Sequence, residues 1–90
     1  MKEIIMNSSR LDINLLRDNI DQIHTTKLGL ERIKRNIKLD DNAIDYLKNK
    51  INDSRCVLYK KGKNYYCDID NITITINSYN YCIITAHKKV

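Results

Sequence analysis

The stretch NYYCDIDNITITIN, residues 64–77, decides how this chain folds. Its apolar and polar residues alternate at a period of two, the spacing of a half-buried strand rather than of a helix. Asp70-Asn71 interrupts the alternation at its centre. Both residue types tolerate the left-handed backbone that a two-residue hairpin turn demands, so the stretch reads as two antiparallel strands closed by that turn. The register follows: Ile69 faces Ile72, Cys67 faces Ile74 and Tyr65 faces Ile76, all on one face. A one-residue slip would turn Ile74 and Ile76 to water, so burial holds this pairing. The apolar face must meet another layer. The opposite face carries Asn64, Tyr66, Asp68, Thr73, Thr75 and Asn77.

Toward the C-terminus, a turn around Ser78-Tyr79-Asn80 leads to a further strand near 81–87. With an odd loop, Cys82, Ile84 and Ala86 join the apolar face, and Tyr81, Ile83, Thr85 and His87 join the polar one. Toward the N-terminus, a strand near 55–60 connects through a turn at Lys61-Gly62. Before residue 54 the apolar period lengthens to that of a helix. Ile13, Leu16, Ile20 and Ile23 mark a first helix over about 10–23, with Ser8 or Ser9 as cap and Asp12 in its first turn. Leu30, Ile33 and Ile37 mark a second, which Thr25 or Thr26 can cap. Ile44, Leu47 and Ile51 mark a third, capped by Asp40 or Asp41. The expected fold is α+β: three N-terminal helices packed on one face of a four-stranded antiparallel β-meander. One domain spans 1–90, helical over about 1–53 and sheet over about 54–90.

Composition narrows the partners. Sixteen Lys and Arg against eleven Asp and Glu give a net charge of +5, which favours an anionic partner. The absence of proline and the presence of only two glycines exclude collagen-like and linker-like chains. No apolar run approaches the roughly 20 residues that cross a bilayer, and the N-terminus lacks a secretory apolar stretch. A soluble, cytoplasmic protein with no membrane partner is expected. The three cysteines, Cys56, Cys67 and Cys82, are odd in number and form no CxxC pair. They read as reduced thiols packed on the apolar face. With only His24 and His87 to join them, no metal and no cofactor are expected.

The polar face is the candidate site. Its ordinary reading is the solvated side of an antiparallel sheet. Its functional reading rests on convergence: Tyr66, Asn77, Thr85 and His87 share it, while Lys61 and Lys63 sit in one turn and Lys88 and Lys89 at the terminus. Bases stack on exposed rings and lysines hold phosphates on such surfaces. On the helices, Arg32 and Arg35 are three apart and can grip one anion together, although a helical charge run is ordinarily a solvated face. His24 stands between the first two helices. It reads equally as a histidine at a helix end and as a group beside an anion site at the next helix start.

The stretches HTTKLGLERIKRN (24–36), KKGKNYYCDID (60–70) and ITINSYNYCIITAHK (72–88) resemble a family of small bacterial and phage-borne proteins known only as a domain of unknown function. More loosely, helices followed by a four-stranded meander whose last strand reads I-x-T-x-H resemble barnase, colicin endonuclease domains and RelE-type toxins. That resemblance implies a small metal-independent ribonuclease with its reactive groups on the open sheet face, and carries over to Thr85 and His87. The aromatic-Pro ending of such strands is absent.

The expected function is therefore RNA-directed. Cleavage without metal needs a base for the 2′-hydroxyl proton, an acid for the leaving oxygen and cations on the phosphorane. His87, His24, Tyr66 and Thr85 are the expected catalytic groups. Arg32, Arg35, Lys61, Lys63 and Asn77 are the expected nucleic-acid contacts. An antitoxin would then be a natural partner. The alternative is a non-enzymatic, phage-encoded inhibitor or binding module acting on a host defence protein or nucleic-acid complex.

Overall fold

The computed structural model describes residues 10–38 and 42–89, with side chains from residue 14 onward. Helix α1 spans Arg10–Asp18, and a single 3₁₀ turn follows at Ile20–Gln22. The expected helix over 10–23 thus breaks at Asn19, whose side chain donates to Leu15 O at 2.8 Å. An asparagine that bonds its own preceding turn competes with helix continuation. Helix α2 spans Lys27–Ile37 and α3 spans Ala43–Ile51. Thr26 caps α2, its Oγ1 accepting from Gly29 N at 3.0 Å. Asn42 precedes α3 without a side-chain cap bond. The caps read at Ser8, Ser9, Asp40 and Asp41, and the side chains of Asp12 and Ile13, lie outside the described residues.

Four strands follow: β1 (Val57–Lys61), β2 (Asn64–Ile69), β3 (Ile72–Asn77) and β4 (Ile83–Lys88). They form one antiparallel sheet in the order β1-β2-β3-β4. The central hairpin has the register read from its sequence, with Tyr65 opposite Ile76, Cys67 opposite Ile74 and Ile69 opposite Ile72. Asp70 (φ 48°) and Asn71 (φ 66°) supply the two positive φ angles of its turn.

Helices cover one face of the sheet: α1 lies against β1, α3 against β2 and α2 against β4. Leu16, Ile33, Ile37, Leu47 and Ile51 meet Leu58, Tyr65, Cys67, Ile74, Ile76 and Ala86 in one buried cluster. Each fully buried isoleucine or leucine contributes about 1.5–3 kcal/mol relative to exposure. A Cβ on Gly29 would stand 2.2 Å from Thr25 Oγ1, so only glycine lets the start of α2 sit this close to the preceding turn.

Four expectations are corrected at the sheet's ends. Strand β1 begins at Val57 rather than Arg55, and its turn is Gly62-Lys63, because Lys61 pairs with Asn64. Gly62 takes the positive φ of 62° there. In β4 the ladder shifts between Thr75 and Ile76, which pair with Thr85 and Ile83. This bulge leaves Ile83 1 % exposed and Ile84 42 % exposed, the reverse of the simple alternation. Its cause lies outside the strand. Residue His24 forms a parallel bridge beside Cys82, where Ile83 N donates to His24 O at 2.7 Å and His24 N to Tyr81 O at 3.2 Å. Thr25 Oγ1 also donates to Ile83 O at 2.9 Å. These bonds pin Ile83 inward, and the extra residue is absorbed by the bulge. Tyr81 consequently adopts φ 60° and packs against the core instead of lying on the polar face. Cys82 is half-buried.

Candidate nucleic-acid interface on the open sheet face

The face turned away from the helices is ordered by the strand register into cross-strand rows. One row runs Tyr59–Tyr66–Thr75–Thr85, and the next runs Val57–Asp68–Thr73–His87. A third, at the sheet's end, joins Lys61, Asn64 and Asn77. Tyr66, Thr85, His87 and Asn77, singled out from the sequence, therefore do share one face, with Thr85 and His87 two residues apart on β4. The rows are packed closely enough that Thr75, between Tyr66 and Thr85, is only 8 % exposed.

Tyr59 is the residue that sequence reasoning missed. Its ring stacks on Tyr66 with centroids 5.3 Å apart and planes 19° apart. Cross-strand aromatic pairs of this kind contribute about 0.5–1.5 kcal/mol beyond their buried area. The signal was present: closing the first hairpin at Gly62-Lys63, instead of Lys61-Gly62, puts Tyr59 opposite Tyr66. Burial and the charge of Asp68 push the Tyr59 hydroxyl above its usual range, so it stays a proton donor at neutral pH. The two rings expected on this face, Tyr66 and Tyr81, are thus replaced by Tyr66 and Tyr59.

The row that ends at His87 is polar and partly neutralised. Thr73 Oγ1 donates to Asp68 Oδ1 at 3.0 Å, and Lys89 Nζ lies 3.4 Å from Asp68 Oδ2. His87 is exposed at the β4 end of this row. Strand spacings put the Tyr66 and His87 backbones roughly 12 Å apart, two strands across and one two-residue step along.

Cations gather at the opposite end. Lys61 and Lys63 are exposed at the β1–β2 turn. Ser78 N donates to Lys63 O at 2.9 Å, which ties that turn to the β3–β4 loop. The loop carries Tyr79, 76 % exposed, so the two lysines and a third ring form one rim. Asn77 shapes this loop: its Oδ1 accepts from Tyr79 N at 2.8 Å and from Asn80 N at 3.2 Å. Only its amide N–H donors remain for a ligand.

His24 and the two arginines stand apart from these rows. The connection from α1 to α2 does wrap around the β4 edge, as a joint histidine site would require. It does so at the wrong end: His24 neighbours Cys82, roughly 15 Å along β4 from His87 at the usual rise per residue. His24 Nδ1 lies 2.8 Å from Gln22 O, a carbonyl that can only accept, so Nδ1 is the donor of this bond. Arg32 and Arg35 are exposed on α2. Asn36 Nδ2 donates to Ala86 O at 3.3 Å, and Arg32 stands one turn earlier on the same flank of α2.

A separate ionic cluster sits where the layers join. Lys50 bonds Asp70 and Arg55 bonds Asp53, with Arg55 Nη1 3.5 Å from Asp70 Oδ1. The Arg55 side chain and backbone N–H hold the Asp53 carboxyl at about 2. Bonded to Lys50 and near Arg55, Asp70 is likewise held below its ordinary range. These groups neutralise one another and anchor the Asp70-Asn71 turn to α3.

The molecule is, by its fold, a two-layer α+β protein with helices on one sheet face and a polar, aromatic, cation-rimmed surface on the other. A family model described as "Protein of unknown function (DUF3781)" matches residues 17–87, and the chain belongs to that family. No curated protein and no solved structure matches it. None of these comparisons supports the likeness to ribonuclease toxins. Among the described residues, no helix is long and apolar enough to cross a membrane.

Proposed function

We propose that this chain is an RNA-directed protein that takes a single strand across its open sheet face and cuts it without a metal. The observation that carries the reading is the stacked Tyr59–Tyr66 pair, accessible on a four-stranded sheet and rimmed by Lys61 and Lys63. Bases stack on such rings at about 1–3 kcal/mol each, and lysines beside them hold the phosphates. Unstacked single strands fit a flat sheet better than a duplex does, because only they present base faces. His87 would take the 2′-hydroxyl proton and Tyr66 would protonate the leaving 5′-oxygen. Arg32 on α2 would meet the phosphate charge. His24 has no role in this scheme, since its site is a β4-length away.

The test is incubation of the purified protein with structured and single-stranded RNA in excess EDTA. Cleavage that disappears in His87→Ala and falls in Tyr66→Phe is expected. RNA left uncut by the wild-type protein would remove the catalytic assignment.

One observation favours a second reading, a non-enzymatic binding module. The open face holds a single imidazole, and two-histidine acid–base chemistry is not assembled there. In that case Tyr59→Ala and Tyr66→Ala would weaken a salt-sensitive RNA complex, or break a stoichiometric protein complex, while His87→Ala would leave it intact.

A further inference from the structure

On the sheet's other side lies a chemical feature that the open face does not use. Cys56 and Cys67 are both free and both buried, 8 % and 0 % exposed. Cys67 lies opposite Leu58 in β2, so Cys56, two residues before Leu58, is its diagonal neighbour across the first hairpin. The two thiols therefore share the buried face of this hairpin as near neighbours. Arg17 joins them. Its Nη2 donates to Asp53 O at 3.3 Å, the same carbonyl that accepts Cys56 N at 3.0 Å, which sets a guanidinium beside this thiol. The third cysteine, Cys82, is half-buried, and its Sγ donates to the Ile83 carbonyl at 3.7 Å.

From this arrangement we propose that Cys56 and Cys67 form a reversible dithiol–disulfide pair, closed by small-molecule disulfides of the glutathione type. Cys56 is the attacking thiol. The neighbouring Cys67 thiol and the positive charge of Arg17 bring the Cys56 pKa below the ordinary thiol value against the effect of burial, whereas Cys56 and burial push that of Cys67 up. The Cys56 thiolate attacks one sulfur of the disulfide, forming a mixed disulfide and releasing one small thiolate. The Cys67 thiol then attacks Cys56 Sγ, its proton passing to the second departing thiolate. Two protein thiols become one disulfide and one small disulfide becomes two thiols.

The fold permits the step. Diagonal neighbours in a sheet lie about 7–8 Å apart at Cα, slightly beyond the 4.4–6.8 Å of a disulfide. Cys56 must therefore move by about 1 Å. It can, because it precedes the first ladder pair, Val57–Asp68, and its N–H bonds a turn carbonyl rather than β2. The same looseness gives the reagent its access, since opening Cys56 leaves the sheet ladder whole. This pairing does not depend on any RNA-directed role.

The experiment uses the intact chain, incubated with oxidised glutathione, alkylated and weighed. The expected product has lost two hydrogens and regains them with dithiothreitol. Tryptic cleavage after Lys60, Lys61 and Lys63 separates Cys56 from Cys67, and cleavage before Asp68 and Asp70 separates Cys67 from Cys82. After both digestions, a peptide pair joined through Cys56 and Cys67 identifies the bond. Cys82→Ser is expected to oxidise like the wild type without disturbing either buried thiol, and Cys67→Ser to stop with glutathione held on Cys56. Modification confined to Cys82, with Cys56 and Cys67 both alkylated only after unfolding, would overturn the proposal.

Discussion

The two faces of β3 differ in what they meet and in the chemistry of their side chains. Ile72, Ile74 and Ile76 point into the helices and are at most 6 % exposed, while Thr73, Thr75 and Asn77 point away and join hydrogen-bonded rows. Period-two geometry thus separates two tasks on one six-residue segment. Loss of a side chain on the inner face leaves a cavity and reduces stability. Loss on the outer face changes what the surface can hold and leaves the fold largely intact.

The sharpest way to break that contrast is at β4, where the bulge moves residues between faces. Ile83→Ala is expected to destabilise the protein by about 2–5 kcal/mol in denaturant melts, the range for a buried isoleucine. Ile84→Ala should stay within about 0.5 kcal/mol of wild type. The reverse order would show that β4 follows simple alternation in solution.

On the outer face, Tyr66→Ala should weaken single-stranded RNA binding by about 1–3 kcal/mol, read by fluorescence anisotropy. The thermal midpoint should fall much less than it does in Ile83→Ala. A smaller effect is expected at the rim. Gly62 holds a φ of 62° with open space where a Cβ would stand, so Gly62→Ala should cost about 1 kcal/mol through backbone strain alone. RNA affinity should then be unchanged at temperatures where the variant is folded.

The smallest effect belongs to neither face but to the junction between the layers. The Asp53 carboxyl, bonded by Arg55, is lowered from 3.8 to about 2. A depressed carboxylate stabilises the folded state above its unfolded value and loses that contribution as pH falls through the folded one. Wild type should therefore exceed Asp53→Asn in thermal midpoint by a small, constant margin above pH 4, and the margin should close as pH approaches 2. A margin independent of pH would separate Asp53 from its ion pair.

Much of this architecture is legible in residues 64–77. Asp70-Asn71 can close a tight turn, and only one register then buries Ile69, Cys67, Tyr65, Ile72, Ile74 and Ile76 together. The three helices are legible for the same reason, since Leu47 and Ile51 or Ile33 and Ile37 recur at helical spacing. Thr85 and His87 share a face because they are two apart, and Tyr66 joins them through the hairpin register. These are local rules, satisfied within a few residues of the positions they constrain.

The rest depended on groups distant in sequence. Nothing near Ile83 and Ile84 says which turns inward. That choice is made by His24 and Thr25, some 58 residues away, through backbone and hydroxyl bonds to Ile83. The same contact fixes His24 beside Cys82 and so separates it from His87. Tyr59 reached Tyr66 through the choice between two adjacent turn positions, both of which contain Gly62. That Cys56 and Cys67 are neighbours depended on the register of the first hairpin. The sequence by itself determined the α+β class, the central hairpin and the division of its faces, because hydrophobic periodicity and turn chemistry act locally. Tertiary structure alone decided which residues meet across that framework, because one bond from a remote segment can outweigh the alternation of a strand.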